Sequence, residues 1–263
     1  MNRMNWYPGH IEKAKHEMSR VLKAVDVVVE VLDARAPAAS RAYEHQKLFS
    51  QKRRFIVLTK KDLADPVVTD RWCRSISQIL PCVALSPKND EPKTLLKKIE
   101  KLYKPRFGEL RLMIVGIPNV GKSTLINWLG GRKSTRVGAQ PGITRGLQWI
   151  RVSPSFLVLD TPGIVYPCVF NRLLAAKLML IGSIDVDKVD PWQVLDELET
   201  LLRPIIGSAD LVEFLENFGR SRGFISKGGV VNKETALKRL IREFSEGKFD
   251  PISLEDSSEY RFQ

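Results

Sequence analysis

The chain has 263 residues, 43% hydrophobic and 27% charged, a balance that excludes a disordered or low-complexity polypeptide. Its net charge of +12 is uneven: residues 1–180 hold 31 Lys/Arg against 14 Asp/Glu, whereas residues 181–263 hold 11 against 16. A basic first part favours an anionic partner such as nucleic acid, with a solvated, solubilising surface as the plain alternative. Three cysteines (Cys73, Cys82, Cys168) show no paired spacing, so the sequence indicates neither a disulfide nor a zinc site. No signal peptide opens the chain, and Lys177 interrupts the apolar run Leu173 to Ile181; a cytoplasmic protein without a membrane segment is expected.

In chain order, Asn5-Trp6-Tyr7-Pro8-Gly9-His10 leads into an amphipathic helix at about 11–22, with Ala14, Met18, Val21 and Leu22 on one face. Residues 25–32 read as a strand buried on both faces, ending in Asp33-Ala34-Arg35. A second apolar strand at 55–58 runs into Thr59-Lys60-Lys61-Asp62. A helix at about 68–79 and a short strand at 82–85 follow, the strand ending at Ser86-Pro87-Lys88. A basic helix at 94–103 leads to the linker Lys104-Pro105-Arg106-Phe107-Gly108. A strand at 110–115 precedes Gly116-Ile117-Pro118-Asn119-Val120-Gly121-Lys122-Ser123 and a helix at 124–129. Residues 131–145 have the polar, glycine-rich composition of a mobile loop. Strands at 147–152 and 156–159 follow, the latter ending in Asp160-Thr161-Pro162-Gly163. Strands alternating with helices predict a largely parallel sheet covered on both faces, with ligands beyond the carboxyl ends of its strands. Each motif named here sits at such an end.

The stretch 116–123 fits G-x-x-x-x-G-K-[ST], which chance would place in about one in a hundred chains of this length. Its glycines let successive N–H groups face an anion, and the following helix N-terminus adds partial positive charge. Asn119, Val120, Gly121, Lys122, Ser123 and Thr124 are therefore expected to hold a nucleoside triphosphate, Lys122 on its β- and γ-phosphates and Ser123 on Mg²⁺. Asp160 of D-x-x-G could hold Mg²⁺ through a water, and the Gly163 N–H could meet the γ-phosphate. Thr144, in Pro141-Gly142-Ile143-Thr144, is the candidate second hydroxyl ligand for Mg²⁺, with an ordinary loop threonine as the alternative. Base identity rests on Asp62, whose carboxylate can accept from both N1–H and the 2-amino group of guanine but finds no such donors on adenine. Lys60 is expected along the purine or the phosphate loop, and Ser86 and the backbone at Pro87 at the guanine O6 edge.

These motifs resemble those of the Ras-like GTPases in a rotated order, the guanine motifs at 59–62 and 86–88 preceding the phosphate loop. That is a circular permutation, with residues 104–108 joining the former ends. Asn5-Trp6-Tyr7-Pro8-Gly9-His10, Asp33-Ala34-Arg35-Ala36-Pro37, the phosphate loop, Pro141-Gly142-Ile143-Thr144 and Lys227-Gly228-Gly229 together resemble the ribosome biogenesis GTPase A (YlqF) family over nearly the whole chain. The resemblance implies an α/β fold: a circularly permuted Ras-like P-loop GTPase domain at 1–176 and a small all-α C-terminal domain at 177–263. Thr59 stands where most such GTPases have Asn, losing an amide that braces the loop, and Pro87 replaces Ala, removing an N–H from the guanine edge. Modest affinity or selectivity is the expected result.

Ile164 occupies the position of the water-orienting glutamine, so catalysis must come from elsewhere. The resemblance points to His10, with a helix-capping role as the alternative, and to Asn119 as a K⁺ ligand, with a turn-forming asparagine as the alternative. Arg35 reads equally as an RNA or switch contact and as a salt bridge to Asp33. Helices near 192–202, 209–218 and 233–244 (the last capped by Asn232) build the C-terminal part. There seven Lys/Arg between residues 220 and 243, against Glu234 and Glu243, form a candidate rRNA face. The implied function is a GTP-hydrolysing assembly factor, monomeric off the ribosome, that binds the large subunit and its rRNA in the GTP state. The alternatives are an RNA-binding nucleotide switch with negligible hydrolysis and a P-loop phosphotransferase.

Overall fold

Val27–Asp33 (β1) is buried at every position because it lies between two parallel neighbours, where a valine-rich run satisfies both faces. Its neighbours are Arg53–Thr59 (β2) and Leu110–Val115 (β4); Cys82–Ala84 (β3) flanks β2 and Phe156–Asp160 (β7) flanks β4, all parallel. Gln148–Ser153 (β6) and Thr135–Val137 (β5) complete the sheet antiparallel, giving the order β3-β2-β1-β4-β7-β6-β5. The computed structural model describes residues 19–42, 46–105, 108–131, 135–137, 148–160 and 167–260.

The largely parallel sheet agrees with expectation; β5 does not, since 131–145 read as loop throughout. An edge strand of three residues, pairing Thr135 with Arg151 and Val137 with Trp149, is too short to leave a periodic signature in the sequence. Along β2, Phe55 and Val57 join one apolar cluster and Ile56 and Leu58 the other, so both faces are covered.

The described helices of the first part are Pro37–Ser40 (α1), Gln46–Phe49 (α2), Pro66–Ser77 (α3), Pro92–Leu102 (α4) and Lys122–Gly130 (α5). Asp65 caps α3 by accepting from the Val67 and Val68 N–H groups. Then come Arg172–Leu180 (α6), Leu195–Ile206 (α7), Leu211–Ser221 (α8) and Lys233–Ser245 (α9). The cap expected at Asn232 is present, its Oδ1 2.9 Å from the Thr235 nitrogen. No described helix is long and apolar enough to cross a membrane.

The expected boundary between residues 176 and 177 falls inside α6, which runs unbroken across it. Leu178, Leu198, Leu215 and Leu240 belong to the same apolar cluster as Val29, Leu112 and Leu159, so the helical part shares a core with the sheet. The last segment returns to the first part: the Ile252 N–H donates to Leu63 O at 3.1 Å and the Leu254 N–H to Arg35 O at 2.7 Å. Glu255, buried, accepts from the Ala38 and Ala39 N–H groups at 2.7 and 3.1 Å and from Lys177 Nζ at 3.2 Å; that lysine also reaches Tyr260 Oη at 2.6 Å. Replacing the carboxylate strands a buried ammonium and two amide donors. Glu255→Ala should lose about 3–5 kcal/mol in urea unfolding, whereas an unshifted midpoint would show the strap to be incidental.

Candidate functional site

The carboxyl ends of β1, β2, β3, β4 and β7 lie along one edge of the sheet, and the loops leaving them carry the candidate residues. Beyond β4, Gly116 runs against β1 so closely that a Cβ there would lie 2.5 Å from the Val31 carbonyl oxygen. Asn119 (φ 62°) and Gly121 (φ 95°) both take the left-handed conformation that folds the loop back into α5. No side chain caps the N-terminus of α5, so its first N–H groups are available to an anion. Lys122 opens that helix with Nζ 2.6 Å from Ile117 O, bent across the loop, while Ser123 and Thr124 are exposed.

Thr59, the last residue of β2, is buried against this loop. Its hydroxyl lies 2.5 Å from Val120 O and 3.0 Å from Leu32 O, and its side chain sits where a Cβ on Gly121 would touch it. The bracing expected to be lost without asparagine is therefore made by the threonine, whose short hydroxyl suffices because β2 and the phosphate loop approach so closely.

Lys60 (φ 55°), expected along the purine or the phosphate loop, sets its ammonium 2.9 Å from Asp33 Oδ2. Asp33 is completely buried and also receives Arg35 through Nη2 at 2.8 Å, Nε at 3.0 Å and the backbone N–H at 3.1 Å. Burial pushes its carboxyl pKa up, but the Arg35 guanidinium and Lys60 ammonium more than cancel this and hold it below the usual value. Arg35 then donates through Nη1 to Phe244 O at 2.8 Å and lies over the Phe244 ring. The choice left open for Arg35 thus resolves to a buried ion pair that fastens the end of α9.

Asp62 stands in a short turn after Lys60, with Oδ2 2.9 Å from the largely exposed Lys88 Nζ. Partial burial raises its pKa; the hydrogen bonds from Lys88 and the Ser86 hydroxyl outweigh this, so it stays lowered and charged. Ser86 is buried and gives its N–H to Asp90 at 2.8 Å, and Asp90 is held in turn by Lys61. Half-buried Pro87 follows. The two guanine motifs therefore meet each other, and through Thr59 the first of them meets the phosphate loop.

Asp160 ends β7, opposite Gln148 and beside the strand that feeds the loop. His10, Thr144 and Gly163 lie outside the described residues. On the loop's other side Asn119 Nδ2 donates to Gly182 O at 2.6 Å and Ser183 Oγ to Pro118 O at 2.7 Å. The turn after α6 is thereby latched to the phosphate loop, and a cavity of about 590 Å³ lies beside the latch, lined by Asn119, Met179 and Arg242 among others.

The basic face expected between residues 220 and 243 is largely paired. Arg220 and Lys233 meet Glu216, Arg222 and Arg239 meet Glu243, Lys238 meets Glu234 and Arg242 meets Asp187. Two of those acids come from neighbouring elements and escape a count along the stretch itself. Of the seven, Lys227 alone has no acidic partner among the described residues.

The ribosome biogenesis GTPase A of Thermotoga maritima is 43% identical to this chain over 254 residues, covering 96% of the chain and 94% of its own length. The chain belongs to the ribosome biogenesis GTPase A family. The Bacillus licheniformis member of that family is 34% identical over 278 residues, covering 96% of the chain and 98% of its own length. Residues 111–224 match the family described as 50S ribosome-binding GTPase. Two solved structures of T. maritima YlqF, GDP-bound and GNP-bound, superpose with TM-scores of 0.77 and 0.78 at 36% identity. They cover 92% and 93% of this chain, and the chain covers 99% and 98% of theirs. The chain is thus a GTP-hydrolysing enzyme on a circularly permuted P-loop fold.

Asp33, Lys88, Asp90 and the Gly182-Ser183 turn were not singled out as site residues. Asp33 carried a signal, a carboxylate closing an otherwise apolar strand two residues before an arginine; the others make contacts that only the fold creates. Thr59→Val keeps the shape but leaves the Val120 carbonyl without its donor. It should destabilise the protein by about 1–3 kcal/mol in urea and weaken GDP binding in a fluorescent-nucleotide titration; unchanged values for both would discard the brace.

Proposed function

We propose that this GTPase is an assembly factor for the large ribosomal subunit, docking on its rRNA with GTP bound and leaving after hydrolysis. The observation that carries the nucleotide half is the Thr59–Val120 hydrogen bond, which joins the guanine motif to the phosphate loop despite their rotated order. The family description of residues 111–224 and the names of the relatives support the ribosomal half. With its helical face mostly paired, the protein draws its rRNA attraction from the basic first part and from Lys227. On this reading it is a cytoplasmic monomer when off the ribosome.

Binding guanine requires Asp62 to exchange Lys88 for the base. This costs little, because Lys88 is 74% exposed and such surface pairs contribute about 0–1 kcal/mol. Likewise Lys122 leaves Ile117 O for the phosphates. Ser123, at the start of α5, and Asp160, at the end of the adjoining parallel strand, offer the hard oxygens that suit Mg²⁺, and Thr144 is assigned as the third donor. When bound, that ion neutralises charge developing on the phosphate oxygens. Asn119 gives its amide nitrogen to Gly182, leaving Oδ1 able to ligate K⁺. With Ile164 in the glutamine's place, His10 is assigned to hold the attacking water.

Two experiments test the reading. Asp62→Asn would present an amide donor to the C2 position and an acceptor to N1–H. Its preference should move from GTP to xanthosine triphosphate, and a mutant still selecting GTP would remove Asp62 from base recognition. GTP turnover should rise with large subunits and exceed in KCl its value in NaCl. In His10→Ala it should fall about 10²-fold or more with GTP affinity retained. Subunits without effect would overturn the assembly role, equal rates in the two salts the K⁺ assignment, and equal rates in the mutant the role of His10. A nucleotide switch with negligible hydrolysis, which Ile164 favours, would show no turnover under any of these conditions.

A further inference from the structure

Cys73, on α3, and Cys82, the first residue of β3, are nine residues apart, yet their sulfurs lie 4.0 Å from each other. Both are half-buried rather than sealed in the core. They share a cavity of about 460 Å³ with Lys61, Asp62, Asn89 and Lys98, so solutes that reach the guanine-motif turn reach the sulfurs too. No disulfide joins them, and no group of three metal-binding side chains occurs among the described residues, so nothing here assigns the pair to a metal.

We infer that Cys73 and Cys82 form an oxidisable dithiol that a hydroperoxide converts to a disulfide, and that this closure weakens guanine nucleotide binding. The second half of the inference rests on the assignment of Asp62 to the base. The roles of the two sulfurs differ. The S–H of Cys82 faces Cys73, and this hydrogen bond, with one from the Ala84 backbone and the Lys98 charge, lowers the Cys73 pKa against burial and the nearby Asp70, whereas Cys82 is raised. Cys73 is the attacking thiolate. It displaces hydroxide from the peroxide O–O bond and becomes a sulfenic acid. The hydroxide takes the Cys82 proton as water, and the Cys82 thiolate then attacks the Cys73 sulfur, forming the S–S bond and expelling a second hydroxide. One thiolate, one thiol and one hydrogen peroxide thus give one disulfide, one water and one hydroxide; the two sulfurs lose two electrons and the two peroxide oxygens gain them.

Closure brings the sulfurs from 4.0 Å to about 2 Å and draws α3 and β3 together. The chain enters α3 from Asp62 through the Asp65 cap and leaves β3 into Ser86. A bridge between these elements therefore changes the spacing of the Asp62 carboxylate and the Ser86 loop, the two sides of the proposed base site.

The test uses the full chain, reduced or treated with hydrogen peroxide, with disulfides mapped by mass spectrometry without reduction and GDP affinity measured by fluorescent-nucleotide titration. The expected result is a Cys73–Cys82 bridge, a GDP affinity lowered about tenfold or more, and recovery of both states with dithiothreitol. Cys73→Ser and Cys82→Ser should bind GDP as the reduced protein does and, after peroxide, form no bridge and keep that affinity. Failure to form the bridge in the folded protein, or a bridged protein with unaltered GDP affinity, overturns the inference. A reduced protein that does not prefer guanine instead overturns the base assignment, independently of whether the bridge forms.

Discussion

One buried carboxylate, that of Asp33, holds together three parts of the chain that are distant in sequence. It closes the central strand, receives Lys60 from the first guanine motif, and orients Arg35 so that the guanidinium reaches the carbonyl of Phe244 at the end of α9. An ionised group at zero exposure is tolerable only with such partners, and here they are supplied by the elements the site must align. These contacts tie the central strand, the turn after β2 and the helical part to one another.

The rotated order of motifs costs the fold little for the same reason. Strand ends do not record which came first along the chain; they record which strands are neighbours. The parallel run β3-β2-β1-β4-β7 sets the turn after β2 and the loop after β4 on either side of β1. From there a single threonine hydroxyl spans the remaining gap. Lys104, at the join, accepts from Arg53 at the start of β2 and so lies at the edge of the sheet opposite the phosphate loop.

Much of this was legible in the residues. Four valines in β1 could suit only a doubly covered strand, and the loop at 116–123 declares itself because its glycines and lysine have few other uses in that order. Asn232 marked the start of α9 because an asparagine ahead of a charged, periodic stretch has a cap to make. What stayed hidden depended on partners remote in sequence. Glu216 neutralises Lys233 and Asp187 neutralises Arg242 from other elements, and Thr59 replaces an amide only because Val120 is at hand. The two cysteines become neighbours only because the chain reverses direction between α3 and β3. Local pattern reports periodicity and caps; it does not report who stands across a gap.

The strap formed by residues 252–260 has a consequence for the birth of the protein. Its bonds to Leu63, to Arg35 and to the start of α1 involve groups in the first quarter of the chain, close to the turn after β2 and the Asp33 cluster. A nascent polypeptide can build the sheet and most of the helices before these residues have left the machinery that makes them. It cannot fasten the turn until residues 252–260 have emerged, so a nascent copy without them lacks the bonds to Leu63, Arg35, Ala38 and Ala39 that tie these parts together.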